Sequence, residues 1–351
     1  MIIKSLDEEQ LDAWFDFVGE VFSPKANREY FARHFYNDPH RSVDSIFVAY
    51  ENEQSRDILG SVRVFHRKVI TDPDCTVRKM GGIGEVSTRS DMRGRGIASS
   101  LLRHANNYMR ANGFDLGMLH CSPSLVKFYS SVGYQSVPLY HSLLELQVNP
   151  SQMSHRYVSV LSPNFGQDDS LVSQMSQLYS SFIVANRLCG PIARANDKDY
   201  WRLWVDAESE SHGGSPIIAY DGEQHVVGYL FLHPIASECN YDGITLNVKE
   251  FSARGNVNQW TVFCELLGTY LLGEDKDVRT VHIKMPFPLL TVLKSQMGNS
   301  DVVSVKSINE KYACDNGFMY QVMSPDSGVG TMNIEDMFPE DRHLFWKTDG
   351  F

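Results

Sequence analysis

The chain has few features that would mark a secreted, metal-binding or membrane protein. Its six cysteines, Cys75, Cys121, Cys189, Cys239, Cys264 and Cys314, are scattered, with no Cys-x-x-Cys pair and no histidines at zinc-ligand spacing. Reduced thiols and no bound metal are therefore expected. No apolar run approaches the ~20 residues that span a bilayer. Acidic and amide residues interrupt the first ten positions, Met1 to Gln10, at once, so no signal segment is expected, and a cytoplasmic location away from membranes is predicted. An excess of basic residues is also missing. Lys and Arg number 32 against 43 Asp and Glu, a formal charge of -11, which argues against a nucleic-acid partner because phosphate neutralisation needs a basic face. An acidic protein suits a cationic amine substrate.

The 351 residues, 42% hydrophobic and 21% charged, can build two hydrophobic cores. Ser5 and Glu8 have the spacing of a capping box, and Leu11, Trp14, Phe15, Val18 and Phe22 recur at helical period, so a helix is expected from the start of the chain. A second helix is expected over Arg28 to Tyr36, stopping before Pro39. Strands are expected at Ile46 to Tyr50, Leu59 to Val69, Lys79 to Thr88, Phe114 to His120 and Tyr134 to Leu146, with helices at Gly96 to Asn112 and Ser124 to Val132. The second half offers similar elements in similar order: a helix near Leu171 to Ile183, strands at Pro216 to Tyr220, Val226 to Leu232 and Ile244 to Phe251, a helix over Val257 to Leu272, and strands at Val281 to Lys284 and Phe318 to Met323. The fold class is α/β (α+β), with two domains that each hold a mixed, mostly antiparallel sheet flanked by helices. The expected division is 1–150, 160–325 and a C-terminal tail over 326–351, with a linker in Asn149 to Ser154 or Ser162 to Ser170. An internal duplication at the level of fold follows, although no long sequence repeat accompanies it.

The most specific local feature is Arg93-Gly94-Arg95-Gly96-Ile97-Ala98, set between an expected strand and the helix that begins at Gly96. Glycines let the backbone approach an anion, and free N–H groups at a helix start attract one. Arg93 and Arg95 can add charge-assisted contacts. A bare Gly-x-Gly is equally well a connector, and the spacing is not the Gly-x-Gly-x-x-Gly of a dinucleotide fold. Its surroundings decide. Val86 to Ala98 resembles motif A of the GNAT N-acetyltransferases, and Phe128-Tyr129-Ser130-Ser131-Val132-Gly133-Tyr134, about thirty residues on, is similar to the following motif of that superfamily. The resemblance implies two GNAT-like domains and acetyl-coenzyme A (acetyl-CoA, giving coenzyme A) as acetyl donor. It implies that Val86, Ser87 and Thr88 pair with the pantetheine arm and that Arg93, Gly94, Arg95, Gly96, Ile97, Ala98 and Ser99 wrap the pyrophosphate. Ser252-Ala253-Arg254-Gly255-Asn256 falls where a second such turn would lie but lacks the second glycine, so one donor per chain is expected.

The resemblance also assigns Tyr129 to protonating the departing thiolate; its alternative is a core aromatic packing the helix against the sheet, for which Phe128 is the better candidate. Glu85 and His120 adjoin the cofactor strands and are candidate bases, each equally readable as an ordinary strand side chain. In plan, the chain resembles the fungal lysine N6-acetyltransferases and the first two domains of the enhanced intracellular survival acetyltransferases, without the latter's third domain. In the second family a terminal phenylalanine carboxylate serves as base, which by resemblance makes Phe351, behind the apolar Leu344-Phe345-Trp346, a catalytic candidate. Tyr200, Trp201 and Trp204 either pack the core or face an amine through cation–π contacts. The function expected is acetyl transfer to a small-molecule amine, such as free lysine, another amino acid or a polyamine. Protein-lysine acetylation and a non-catalytic acetyl-CoA-binding scaffold are the alternatives. Nothing in the sequence bears on oligomeric state.

Overall fold

Ile2–Ser5 (β1), Ile46–Tyr50 (β2), Gly60–Thr71 (β3) and Thr76–Thr88 (β4) pair in sequence order as antiparallel neighbours in a computed structural model of the chain. The structure describes residues 1–72, 74–149, 156–195, 197–207, 214–235, 243–274, 280–298, 303–324 and 333–350. Helices Leu11–Phe22 (α1) and Arg28–Tyr36 (α2) lie between β1 and β2, and Ile97–Ala111 (α3) follows β4. Strand Leu116–His120 (β5) then runs parallel to β4. A parallel return requires a crossover, and α3 provides it. Its face of Ile97, Leu101, Leu102, Ala105 and Met109 is buried against Val62, Val64 and Leu119. Each large apolar side chain so buried contributes about 1.5–3 kcal/mol.

After a short helix at Val126–Ser130 (α4) come Gln135–Ser136 (β6) and Leu139–Val148 (β7). The second half then repeats the plan. Val158–Leu161 (β8), Ile217–Tyr220 (β9), Val226–Ile235 (β10) and Ile244–Ala253 (β11) are antiparallel neighbours, with helix Asp169–Ala185 (α5) after β8. Helix Gln259–Glu274 (α6) crosses over to Thr280–Pro286 (β12), parallel to β11. Helix Phe287–Lys294 (α7), strands Val303–Asp315 (β13) and Phe318–Val322 (β14), and a single turn at Ile334–Met337 (α8) complete the described elements.

The two seven-stranded sheets run β1-β2-β3-β4-β5-β14-β6 and β13-β7-β12-β11-β10-β9-β8. Each takes its sixth strand from the other half of the chain. β14 pairs with β5 and β6 in the first sheet, while β7 pairs with β12 and β13 in the second. The run expected as one strand over Tyr134 to Leu146 is therefore two, broken by Val137-Pro138, whose proline cannot donate to a ladder. Its longer part belongs to the second sheet. Ser5 is not a helix cap. It is the last residue of β1 opposite Phe47, its Oγ donates to the Asp44 carbonyl at 3.0 Å, and α1 begins at Leu11. Four bridge partners along β1 outweigh one local cap. β8, α7 and β13 were not expected from the sequence, and β13 is an edge strand whose side chains are mostly exposed. The proposed linker at Asn149 to Ser154 falls almost wholly outside the described residues. Among the described residues no helix is long and apolar enough to cross a membrane, and no group of three His, Cys, Asp or Glu side chains could hold a metal.

Candidate active site

The site begins with a fault in β4. The register with β3 shifts between Ser61↔Ser87 and Arg63↔Gly84, and within that bulge Glu85 has a φ of +55°. A bulge bends its strand. β4 pairs with β5 only over Met80, Gly81 and Gly82, so beyond Gly82 that edge of β4 has no β5 partner. Val86, Ser87 and Thr88 lie on this splayed end, where their backbone groups can accept an extended ligand as an added strand. The Ser87 side chain is already engaged, its Oγ 2.9 Å from Ser61 Oγ, which in turn accepts from Trp14 Nε1 at 3.0 Å.

Chain reversal into α3 uses Gly94 at φ +76° and Gly96 at φ +77°. The left-handed region is open to glycine and strained for other residues. Gly96 is the N-cap of α3 and offers no side chain, so the first N–H groups of the helix, at Ile97, Ala98 and Ser99, are left for a ligand. A cavity lined by Val86, Ser87, Thr88, Arg93, Gly94, Gly96, Ile97, Ala98, Ser99, Phe128 and Tyr129 lies here, of about 620 Å³. The structure thus collects the expected donor-binding residues around one cavity. Arg95 is exposed and outside this lining, and Arg93 lies along the chain with Nε 3.4 Å from the Thr88 carbonyl. Free N–H groups, glycines and a splayed strand fit a phosphorylated thioester carrier.

Tyr129 is carried to this cavity by α4 and packs against Phe128 and Tyr134 at ring distances of 5.0 and 6.5 Å. Burial pushes its phenol up to about 12, with the Cys121 thiol a lesser contributor, so the hydroxyl keeps its proton at neutral pH. A protonated phenol can donate to a departing thiolate.

A second cavity, of about 320 Å³, lies between the two sheets. Its walls include Tyr30 and His34 from α2, Met118 and His120 from β5, His141 from β7, Lys249 from β11, Asp315 from β13, Phe318 from β14, and Phe345, Lys347 and Gly350 from the chain end. Both exchanged strands contribute. Glu85 connects the cavities, since its carboxylate is 3.7 Å from His34 Nδ1 and the next three residues line the donor side. The volume is within the range of small-molecule sites.

Two lysines, Lys249 and Lys347, line this cavity with Asp315. Burial lowers Lys249 to about 8, and Lys347 and Lys284 push in the same direction. Burial and then Lys284 lower His141 to about 4, leaving its imidazole neutral at pH 7. Asp315 is held below the usual carboxylate range: burial opposes this, but the hydrogen bonds from His120 and the Gly317 N–H outweigh it.

Of the candidate bases, Glu85 is buried and accepts from Arg63 at 3.4 Å, within the cluster that Asp38 forms with Arg63 and Arg67. His120 opens onto the cavity, its Nε2 2.9 Å from Asp315 Oδ2. Trp201 and Trp204 are fully buried in the core. Tyr200 lines a separate cleft with His40, Arg67 and Asp197, so none of the three faces the second cavity. Phe351 lies outside the described residues, but its neighbour Gly350 lines the cavity. The residues before it are anchored firmly: Trp346, Thr348 and Asp349 are fully buried, and Asp349 accepts from Arg194 at 2.7 Å. Lys249, His141, Asp315 and Arg194 were missed. Each lies in a strand or loop with no motif, and only the folded chain brings them together.

Residues 2–137 match the acetyltransferase (GNAT) domain family. The β4 bulge, the Gly94–Gly96 turn and the Phe128–Tyr129 helix all lie within that match. The match ends at residue 137, and the second half of the chain repeats the strand plan of the first. Solved structures share this fold. A probable N-acyltransferase from Enterococcus faecalis V583 is 17% identical at a TM-score of 0.61, over 92% of this chain and 72% of that one. Eis1 from Mycobacterium abscessus is 12% identical at 0.57, over 94% and 76%. The Saccharomyces cerevisiae N-myristoyltransferase, with myristoyl-CoA bound, is 10% identical at 0.54, over 100% and 84%. No curated protein matches the chain.

Proposed function

We propose that this acetyltransferase uses acetyl-CoA as donor and that its acceptor is a small amine which also carries a carboxylate, as a free amino acid such as lysine does. The donor reading rests on the Gly94–Gly96 turn and the unpaired end of β4. The acceptor reading rests on the depressed Lys249, crowded by Lys347 and Lys284 beside a cavity. Like charges gathered where a cation must bind are unfavourable unless an anion arrives with it. A carboxylate supplies that anion, and a polyamine lacks it. Walls drawn from both halves and from the chain end suit a small molecule better than a protein segment.

In the reaction, the neutral amine forms a bond to the acetyl carbon as the carbon–sulfur bond breaks, the thiolate takes its proton from Tyr129, and the proton lost by the nitrogen restores the phenol. The test is thiol release from acetyl-CoA with an amine panel containing free amino acids, their amides and polyamines. Release that is strongest with free amino acids is expected. Equal rates for an amino acid and its amide would remove the carboxylate from the acceptor reading. Release with protein alone would favour protein-lysine acetylation, and none at all, despite donor binding, a scaffold.

A further inference from the structure

We propose that His120 is the general base of the transfer and that Asp315, supplied by the other half of the chain, is the carboxylate that orients it. The inference rests on the acetyl-transfer reading above. β14 pairs with β5 so that Phe318 stands opposite His120, with their rings 4.4 Å apart. The turn before β14 is tied to the same strand, since the Cys121 N–H donates to the Gly317 carbonyl at 3.0 Å. A Cβ on Gly317 would lie 2.0 Å from the Cys121 carbonyl oxygen, so only glycine allows this approach. The Gly317 N–H donates to Asp315 Oδ1 at 2.8 Å, and Asp315 Oδ2 meets His120 Nε2 at 2.9 Å. Both carboxylate oxygens are thus fixed, Oδ1 by the turn before β14 and Oδ2 by His120 at the end of β5.

The place is right for a base. Extending the parallel register of Gly82 opposite Met118 puts His120 level with Gly84, two residues short of Val86, where the donor cavity begins. The side chain opens onto the acceptor cavity. With Nε2–H given to Asp315, the lone pair is on Nδ1. A base whose second nitrogen is held by a carboxylate is a recurrent catalytic arrangement. The other groups facing it are poorer choices. From α2 come Tyr30 and His34, from β11 Lys249, from the chain end Lys347, and from β7 His141, which burial leaves weakly basic at about 4. Glu85 is taken up by Arg63.

The proton balance is simple. His120 takes one proton from the acceptor ammonium, and the neutral amine forms the carbon–nitrogen bond. Coenzyme A leaves as a thiol with the Tyr129 proton, and the second nitrogen proton restores Tyr129. One proton passes from His120 to solvent, and Asp315 stabilises the imidazolium in between.

The test is the pH profile of kcat/KM for the amine in His120→Gln, His120→Asn, Asp315→Asn and a variant lacking Phe351, with acetyl-CoA affinity and thermal unfolding as controls for folding. Both His120 variants are expected to lose roughly 10²-fold or more in kcat and the acid limb of the profile, while binding acetyl-CoA normally. Asp315→Asn is expected to lose less and to shift the acid limb to lower pH, because the imidazolium loses its carboxylate. A His120→Gln enzyme with wild-type kcat and an intact acid limb overturns the proposal. If the Phe351 deletion removes that limb while His120→Gln keeps it, the base lies at Phe351 instead. A wild-type protein that releases no thiol with any amine sinks the acetyl-transfer reading as well.

Discussion

Arg194 donates through Nη1 to Asp349 at 2.7 Å, with both side chains wholly buried. The same guanidinium meets Glu250 through Nη2, and Glu250 also receives the hydroxyls of Thr348 and Tyr229. One cation thus serves two carboxylates, and the chain end is anchored beside the acceptor cavity that Gly350 lines.

Removing the cation should therefore be costly. Arg194→Met leaves two buried carboxylates uncompensated and is expected to destabilise the fold by about 3–5 kcal/mol, read by denaturant unfolding. Asp349→Asn is the milder change and should raise KM for the amine while leaving that for acetyl-CoA alone. An unchanged amine KM would mean that the chain end forms no working wall of the pocket.

Asp349 also predicts a pH effect. Burial raises its carboxyl to about 6, with Glu250 pushing the same way and Arg194 opposing. A carboxyl that holds its proton more tightly when folded binds more protons in the native state between its ordinary value and about 6. Its contribution to stability therefore falls as pH rises through that window. The stability difference between wild type and Asp349→Asn should shrink from pH 4 to 6; a difference that stays constant would assign the proton to another group.

Tyr129→Phe is expected to lower kcat by roughly ten-fold or more, with little change in acetyl-CoA affinity. Because burial holds the phenol near 12, no basic limb belonging to Tyr129 should appear at neutral or mildly alkaline pH. Steady-state kinetics across pH decide both points, and an unchanged kcat removes Tyr129 from the chemistry.

Gly96→Ala should act on the donor. Open space surrounds the added methyl, so the penalty is the positive φ alone, about 1 kcal/mol at a left-handed position. Acetyl-CoA should bind several-fold more weakly while the amine KM holds. Calorimetric titration with coenzyme A would show it, and identical binding would mean the turn does not touch the donor.

Lys249→Met should selectively weaken acceptors that carry a carboxylate. In the wild type the preference for a free amino acid over its amide should decline above about pH 8, as Lys249 loses its charge. The variant should show little preference at any pH. Persistence of the preference in Lys249→Met would place carboxylate recognition elsewhere.

The Gly94–Gly96 turn and the strand end before it were legible because they are local. Val86 to Ser99 is one stretch of chain, and its glycines carry a conformational demand that can be read without a fold. α2 was legible to the residue for the same reason, with Asn27 capping the Tyr30 N–H at 3.0 Å and Pro39 soon after its end. The acceptor cavity draws on residues from Tyr30 to Gly350, and nothing in the neighbourhood of Lys249 or Asp315 marks them in sequence. The exchange of β7 and β14 was hidden for a related reason. Alternating apolar residues announce that a strand exists, but the choice of partner is settled by a sheet built from remote segments.

That exchange determines what can be cut from this protein. β14 lies inside the first sheet, between β5 and β6, and β7 lies inside the second, between β12 and β13. A gene fragment ending near residue 150 would encode the Gly94–Gly96 turn on a sheet broken at its sixth position, together with a strand that has no sheet to enter. The remaining fragment would carry the mirror-image defect. Although the two halves share a plan, each completes the other's sheet, so the unit to express or transplant is the interlocked pair.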